Sequence, residues 1–283
     1  MNDESLNAPL LRDFLSQLYP QKSVNFIGEG WHSITFETCN TIIRFPKHEF
    51  PKQGIENFIT EVDICNKLRN HLFFEVPAPV IIHDEVTYVC HQIIPGVVKK
   101  DGTVIEQSNE LLKDYSKALY QIHSFSDISG IRPLVEPSTI LDFDTLRYKL
   151  TSTFSISMAN KICDYYQSII QDVSSDKVLL HGDFKVDNII EDNEGRLKGV
   201  IDWCNSGIGE REKEFVFLFN ELSFEDFTQL LEYYKFYSGI TISIKRVIDL
   251  AFVRLVNRYG SIANNEKTTV ELKKMVSELL KTT

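Results

Sequence analysis

The hydrophobic rhythm of the chain changes once, at Pro95-Gly96, and this change limits the available folds more than any other feature of its 283 residues. Before it, Val24-Asn25-Phe26-Ile27, Ile34-Thr35-Phe36-Glu37 and Thr41-Ile42-Ile43-Arg44-Phe45 are short runs rich in β-branched and aromatic residues. Turn formers such as Gly28, Gly30 and Asn40 separate them, so the runs predict one antiparallel meander. Leu10, Leu11, Phe14, Leu15 and Leu18 recur at helical spacing ahead of it. Pro46 and Pro51 break the strand pattern, and Phe58, Ile59, Val62, Cys65 and Leu68 then predict a helix from Ile55 to Leu68. Two more strands are expected near Val80–His83 and Thr87–Ile93. After Pro95-Gly96 the patterning turns helical: Leu111, Leu112, Tyr115, Leu119 and Ile122 form one stripe, and others run from about Ile156 to Val173, Ile242 to Leu255 and Val270 to Leu280. One interruption, Lys177 to Ile201, reads as short strands around a loop with Asp192-Asn193-Glu194-Gly195 as a hairpin turn.

The pattern therefore predicts an α+β chain in two parts. Residues 1–94 form a small antiparallel-sheet lobe with one main helix, a hinge lies near 92–97, and residues 95–283 form a larger, mostly helical lobe with a small β insert. Hydrophobic residues make up 43% and charged residues 25%, enough to bury a core without metals or disulfides. Five scattered cysteines without a C-x-x-C pair fit a reducing, cytoplasmic setting. Thirty Lys+Arg against forty Asp+Glu leave a formal charge of -10. That field repels phosphate backbones and anionic lipids and attracts cations, so nucleic acid and membrane are not expected partners. The first four residues are acidic and no apolar run approaches the roughly 18 residues of a bilayer span. The expectation is an unprocessed cytoplasmic chain.

The chemistry concentrates in His181-Gly182-Asp183-Phe184-Lys185-Val186-Asp187-Asn188 and in Ile201-Asp202-Trp203. Moving a phosphoryl group to a hydroxyl needs a carboxylate beside the hydroxyl and oxygen ligands for magnesium close by. Asp183, Asn188 and Asp202 can supply them. The Asp183-to-Asn188 spacing is that of the kinase loop H-R-D-x-x-x-x-N, and Asp202 ends a strand as the Asp of D-F-G does. Each residue alone fits an ordinary turn; the three in this order point to phosphoryl transfer. Gly28-Glu29-Gly30-Trp31-His32-Ser33 lies between two predicted strands, with Ser33 in place of a third glycine. It reads as a phosphate-covering flap rather than a dinucleotide-binding turn.

At these residues the chain resembles the aminoglycoside phosphotransferase and choline kinase-like superfamily of small-molecule kinases. Gly199-Val200-Ile201-Asp202-Trp203 and Gly209-Glu210 with Glu214 extend the match. Ile27-Gly28-Glu29-Gly30, Arg44-Phe45-Pro46-Lys47-His48 and Ile94-Pro95-Gly96 make it most like the aminoglycoside 2″-phosphotransferase branch. The resemblance implies a bilobed protein kinase-like fold and magnesium-dependent transfer of the γ-phosphate of ATP or GTP to a hydroxyl of a cationic small molecule, an aminoglycoside first among them. It implies Asp183 as the catalytic base, Lys185 reaching the transferred phosphate, and Asn188 and Asp202 on Mg2+. Gly28, Gly30 and Ser33 would cover the phosphates, Arg44 held by Glu61 would clamp them, and main-chain groups at Gln92 and Ile94 would meet the base.

The chain departs from the family pattern at three places. Lys185 stands where relatives commonly have His, Glu210 and Glu214 replace an Asp pair and either touch metal or brace the loop, and Arg44 replaces Lys, with Lys47 as a competitor. Choline, macrolide, homoserine and sugar kinases remain alternatives. Gly182 in the place of the H-R-D arginine and the missing A-P-E argue against a protein kinase, and the presence of all three polar residues argues against a non-catalytic pseudokinase. His32 and His123 receive no role. Tyr233, Tyr234, Tyr237, Glu232 and Asp249 belong to the core or its surface more readily than to a substrate cleft. Oligomeric state leaves no trace in the sequence.

Overall fold

A computed structural model describes residues 7–30, 32–47, 51–98, 107–134, 142–172, 174–261 and 265–279. Trp31 of the flap, His48, and the helix ends expected at Val173 and Leu280 lie outside the described residues. Asn7 caps the first helix, α1 (Ala8–Leu18), by accepting from the Leu10 N–H at 3.1 Å. The strands β1 (Asn25–Glu29), β2 (Ser33–Thr38), β3 (Thr41–Pro46), β4 (Val80–His83) and β5 (Thr87–Gln92) form an antiparallel sheet in the order β1-β2-β3-β5-β4. Period-two alternation in β2 buries Ile34 and Phe36, and these join Leu11, Leu15, Ile43, Phe45 and Tyr88 in a core between sheet and α1.

The second helix, α2, spans Pro51–Leu68, one turn earlier than its apolar stripe predicts. Proline at the first helical position has no N–H to leave unpaired, so it starts this helix instead of breaking it. Ile64, Cys65 and Leu68 of α2 do not pack in the sheet core; with Phe74 and Val76 they belong to the main core of the helical lobe.

Directly after Pro95-Gly96 the expected switch to helix does not occur. A two-residue strand, β6 (Val97–Val98), first pairs with β8 (Ile189–Glu191), which in turn pairs with β9 (Leu197–Val200) across the expected hairpin. Gly96 has φ +155°, and a Cβ there would lie 2.4 Å from the Glu191 carbonyl oxygen, so the bend is pressed against the larger lobe. Helix α3 (Asn109–His123) follows, capped by Ser108. An unexpected short helix, α4 (Phe143–Thr151), precedes α5 (Ile156–Gln171); its nine residues carry too few apolar positions for a legible stripe.

A second unexpected element is β10 (Gly207–Glu210), whose Gly-Ile-Gly-Glu sequence has little strand preference. Pairing imposes its conformation: β7 (Lys177–Leu180) binds one edge, and on the other Leu134 N–H donates to Ile208 O and Ile208 N–H to Arg132 O, each at 2.9 Å. Helices α6 (Phe215–Glu221), α7 (Phe224–Ser238), α8 (Ile244–Gly260) and α9 (Glu266–Leu279) complete the chain. The main core joins α2, α3, α6, α7 and part of α8; a second cluster joins α4, α5, α8 and α9. The result is the predicted small antiparallel-sheet lobe on a mostly helical one. No helix among the described residues is long and apolar enough to cross a membrane.

Because Gly96 combines a left-handed backbone with a Cβ position filled by β8, Gly96→Ala should destabilise the protein by about 1–3 kcal/mol, read from the midpoint of urea unfolding. An unchanged midpoint would mean that the bend is free of β8 in solution.

Candidate active site

Strand β7 delivers the chain into the His181-to-Asn188 loop, which ends in a 3-10 turn at Val186–Asn188 before β8. The loop is held from beneath. Glu214, 1% exposed, accepts hydrogen bonds from the backbone N–H of His181 and, at 2.9 Å, of Gly182. Gly182 has φ +81°, and a Cβ there would meet Asn205 O at 2.4 Å, so glycine is required. The buried His181 ring packs on Trp203 with centroids 4.5 Å apart, and its Nε2 donates to Ile201 O at 3.0 Å. Glu221 accepts from the Val186 N–H at 2.9 Å.

This frame buries Asp183 to 9% exposure. Asn188 Nδ2 donates to Asp183 O at 2.9 Å and to Asp183 Oδ2 at 3.1 Å, and Lys185 Nζ lies 3.1 Å from the same Oδ2. Burial pushes the Asp183 carboxyl above the usual carboxylate range, and Lys185 only partly opposes it. For Lys185 the balance is reversed: burial disfavours its charge, but Asp183, Asp187 and Asp202 together outweigh burial and raise its pKa.

Asp202 follows β9 in a left-handed backbone conformation, φ +65° and ψ +58°. Its Oδ1 accepts from Arg44 Nη1 at 3.2 Å and from the Cys204 thiol at 3.0 Å. Burial pushes this carboxyl upward, but Arg44, the thiol, His181 and Lys185 together hold it below the usual range. Arg44, on β3, also forms an ion pair with the fully buried Glu61 of α2. Lys47 does not compete for Glu61, because its Nζ is 2.7 Å from Glu29 Oε1 in the flap.

Asp183, Lys185, Asn188, Asp202, Arg44 and Glu61 thus form one constellation, joined by direct contacts and by the field of Asp202 at Asp183. The flap positions Gly28, Gly30 and Ser33 and the hinge positions Gln92 and Ile94 take no part in the contacts just described. Gly30 N–H donates to Ser33 O at 2.8 Å, closing the β1–β2 turn, and nothing lies within 4 Å of a Cβ at Gly28. Gln92 Nε2 donates to Thr41 Oγ1 at 3.0 Å, and Gln92 O accepts from His91 Nδ1 at 2.9 Å. Ile94 is buried against Gly199 of β9.

Magnesium fits the donors present. Asn188 commits its amide nitrogen to Asp183, which leaves Oδ1 as its acceptor, and Asp202 is one-third exposed with Oδ2 outside its contacts to Arg44 and Cys204. Two hard oxygen ligands completed by phosphates and water suit Mg2+, which is seldom enclosed by protein alone. No group of three or more His, Cys, Asp or Glu able to hold a metal occurs among the described residues.

Several participants are invisible in the motif. His123 is buried with Nδ1 2.8 Å from Tyr234 Oη and Nε2 3.9 Å from Glu214 Oε2. Arg211 Nη1 donates to the same Tyr234 oxygen at 2.7 Å and is paired with Asp176. Tyr234 therefore belongs to the support of Glu214, not to a cleft. Glu210 accepts from Arg246 Nε and Nη2, so both glutamates brace. Asp249 accepts from Tyr165 and Lys245, Tyr237 stacks on Tyr120, and Glu232 is exposed on α7.

The sequence profile of the phosphotransferase enzyme family, APH, matches residues 24–251, and the chain belongs to that family of kinase-like phosphotransferases. The uncharacterized protein YcbJ of Bacillus subtilis (strain 168) is 24% identical over 136 residues, 45% of this chain and 43% of that protein. The chain thus spans less than half the length of this curated relative. Among solved structures, the GDP complex of wild-type aminoglycoside 2'-phosphotransferase-IIIa is similar over 96% of this chain and 98% of that one, with TM-score 0.72 and 16% identity. The streptomycin–ATP ternary complex of APH(2")-IIa is similar over 99% and 98%, with TM-score 0.65 and 19% identity. Macrolide 2'-phosphotransferase type I covers 98% of each chain, with TM-score 0.63 and 17% identity. These likenesses establish the shared fold.

Removing the Glu214 carboxylate strands the buried His181 N–H and the partly buried Gly182 N–H. Glu214→Ala should cost roughly 2–4 kcal/mol of stability and speed hydrogen exchange at residues 181–183, measured by urea unfolding and exchange mass spectrometry. Exchange unchanged from wild type would show that the brace is dispensable.

Proposed function

We propose that the protein transfers the γ-phosphoryl group of ATP or GTP to a hydroxyl of a small molecule, and that the acceptor is cationic, with aminoglycosides the first class to test. The observation that carries the reaction is the contact set of Asp183 with Asn188 and Lys185, joined electrostatically to Asp202. The net charge of -10 supports a cationic acceptor.

In this reading Asp183 orients the acceptor hydroxyl and takes its proton at Oδ1, while Asn188 and Lys185 fix the carboxylate through Oδ2. Asn188 and Asp202 hold Mg2+, which when bound neutralises charge on the nucleotide phosphates. Arg44, oriented by Glu61, clamps those phosphates, and Lys185 is placed to follow the transferred group. The flap of Gly28, Gly30 and Ser33 excludes water, and main-chain groups of Gln92 and Ile94 meet the base. Residues 1–94 would then supply the nucleotide-binding side and 95–283 the catalytic and substrate-binding side, joined at the hinge at 92–97. Positioning and electrostatics supply most of the rate, because there is little covalent work for the protein to do.

One observation favours a less cationic acceptor such as a macrolide. Phe217 carries the Arg254 guanidinium 4.0 Å from its ring centroid and Lys185 Nζ at 5.9 Å, which places two positive charges on the side of Asp183 where Lys185 stands. These cations disfavour an acceptor bearing several ammonium groups there more than one bearing a single ammonium group. Nucleotide turnover measured with aminoglycosides and macrolides in parallel, with the product mass raised by one phosphoryl group, separates the two readings. Turnover with neither class, with nucleotide bound, would overturn both acceptor assignments.

Asp183→Asn should lower kcat by about 10²–10⁴-fold at little cost to nucleotide affinity; near wild-type turnover would remove Asp183 from the role of base. The raised pKa of Asp183 also has a pH signature. Its basic form is lost as pH falls through a value above the ordinary carboxylate range, so the acid limb of kcat/KM, which reports the free enzyme, should begin correspondingly high. Since Lys185 holds that pKa down, Lys185→Met should move the limb further up; a limb that stays in place would exclude their coupling.

A further inference from the structure

Arg132 lies outside every motif, yet it joins three separate segments. Its backbone is fixed on the edge of β10 through the Ile208 N–H to Arg132 O bond at 2.9 Å. From there the guanidinium reaches Asn57 of α2, with Nη1 and Nη2 at 3.3 and 3.2 Å from Asn57 Oδ1. The same Nη2 donates to Cys204 O at 2.7 Å, and Nε is 3.5 Å from Ser206 O. Asn57 is buried at 4% exposure, so its carbonyl oxygen has few other ways to be satisfied.

The two carbonyls belong to the turn that follows Asp202. This turn has a specific task, because Asp202 sits at φ +65°, a conformation that costs a non-glycine residue free energy and persists only where its surroundings impose it. Arg132 supplies part of that constraint from outside the turn, through the planar fork of donors that distinguishes arginine from lysine. Asn57 is one helical turn from Glu61 on α2, and Glu61 holds Arg44, which holds Asp202. The turn is therefore tied to α2 twice, through Arg44 at the carboxylate and through Arg132 at the main chain.

We infer that Arg132 is a positioning residue: by fixing the 203–206 turn to Asn57 it keeps Asp202 in its left-handed conformation, and so sets the affinity of the site for the metal ion that accompanies the nucleotide. The inference rests on the reading of Asp202 as a metal ligand, and the test separates the two.

The experiment compares wild type, Arg132→Ala, Arg132→Lys, Asn57→Ala, the Asn57→Ala/Arg132→Ala pair and Asp202→Asn. Mn2+ binding in the presence of ADP is followed by electron paramagnetic resonance, ADP binding without metal by calorimetry, and amide exchange at residues 202–206 by mass spectrometry. Arg132→Ala should weaken Mn2+ binding about tenfold, the scale of outer-shell support, leave metal-free ADP binding unchanged and accelerate exchange in the turn. Lysine should recover little of this, and the double variant should be no worse than Arg132→Ala. Mn2+ affinity within twofold of wild type in both Arg132 variants, with Asp202→Asn weakened, would overturn the proposal. Equal losses of Mn2+ and metal-free ADP binding would overturn it too, as they mark general damage. If Asp202→Asn itself leaves Mn2+ binding intact, the metal reading fails, and the inferred control of metal affinity is overturned with it. Exchange in the turn then reports separately whether the tie to α2 exists.

Discussion

The guanidinium of Arg44 holds together groups that the chain brings from three places. It rises from β3, meets Glu61 of α2 at one nitrogen and, at another, lies 3.2 Å from Asp202 beyond β9. Removing Arg44 leaves two carboxylates without their cation, the fully buried Glu61 among them, a loss that exceeds the net worth of the interaction itself. The mutual position of sheet, helix and Asp202 turn is therefore set by electrostatics that tolerates little displacement. The Asp183 side of the site has a different foundation: its position depends on neutral backbone donors gathered by the Glu214 carboxylate.

The two foundations explain the opposite behaviour of the two acids. Asp202 has a cation and a thiol on one oxygen and stays ionised easily. Burial disfavours the charge of both acids, but at Asp183 the opposing lysine is shared with solvent and the charge of Asp202 adds to the upward push. Two carboxylates pushed apart in this way suit different tasks, one permanently charged and one able to exchange a proton.

Much of this was legible in the sequence because it is local. The strands of the smaller lobe follow from β-branched runs and turn formers, and Asp183, Lys185 and Asn188 fall within one loop. Arg44 and Glu61 could be paired in advance because a strand cation and a following helix acid have a known purpose. What escaped was imposed from a distance. β10 has no strand preference of its own and owes its form to β7 and to Leu134. The partners of Arg132 at Asn57 and Cys204 are 75 and 72 positions away, and no periodicity reports such contacts. Pro51 was misleading for a different reason, since the same residue stops a strand and starts a helix.

The placement of α2 also bears on whether the smaller lobe has autonomy. Although α2 lies between sheet strands in sequence, Ile64, Cys65 and Leu68, with Phe74 and Val76 after them, share one core with α3 and the helices beyond it. A fragment cut at the bend would carry all five into water as a contiguous sticky face and lose the burial that keeps α2 folded. Cutting the chain at Pro95-Gly96 therefore yields no self-sufficient unit; the five-stranded sheet is, in folding terms, a tenant of the helical lobe.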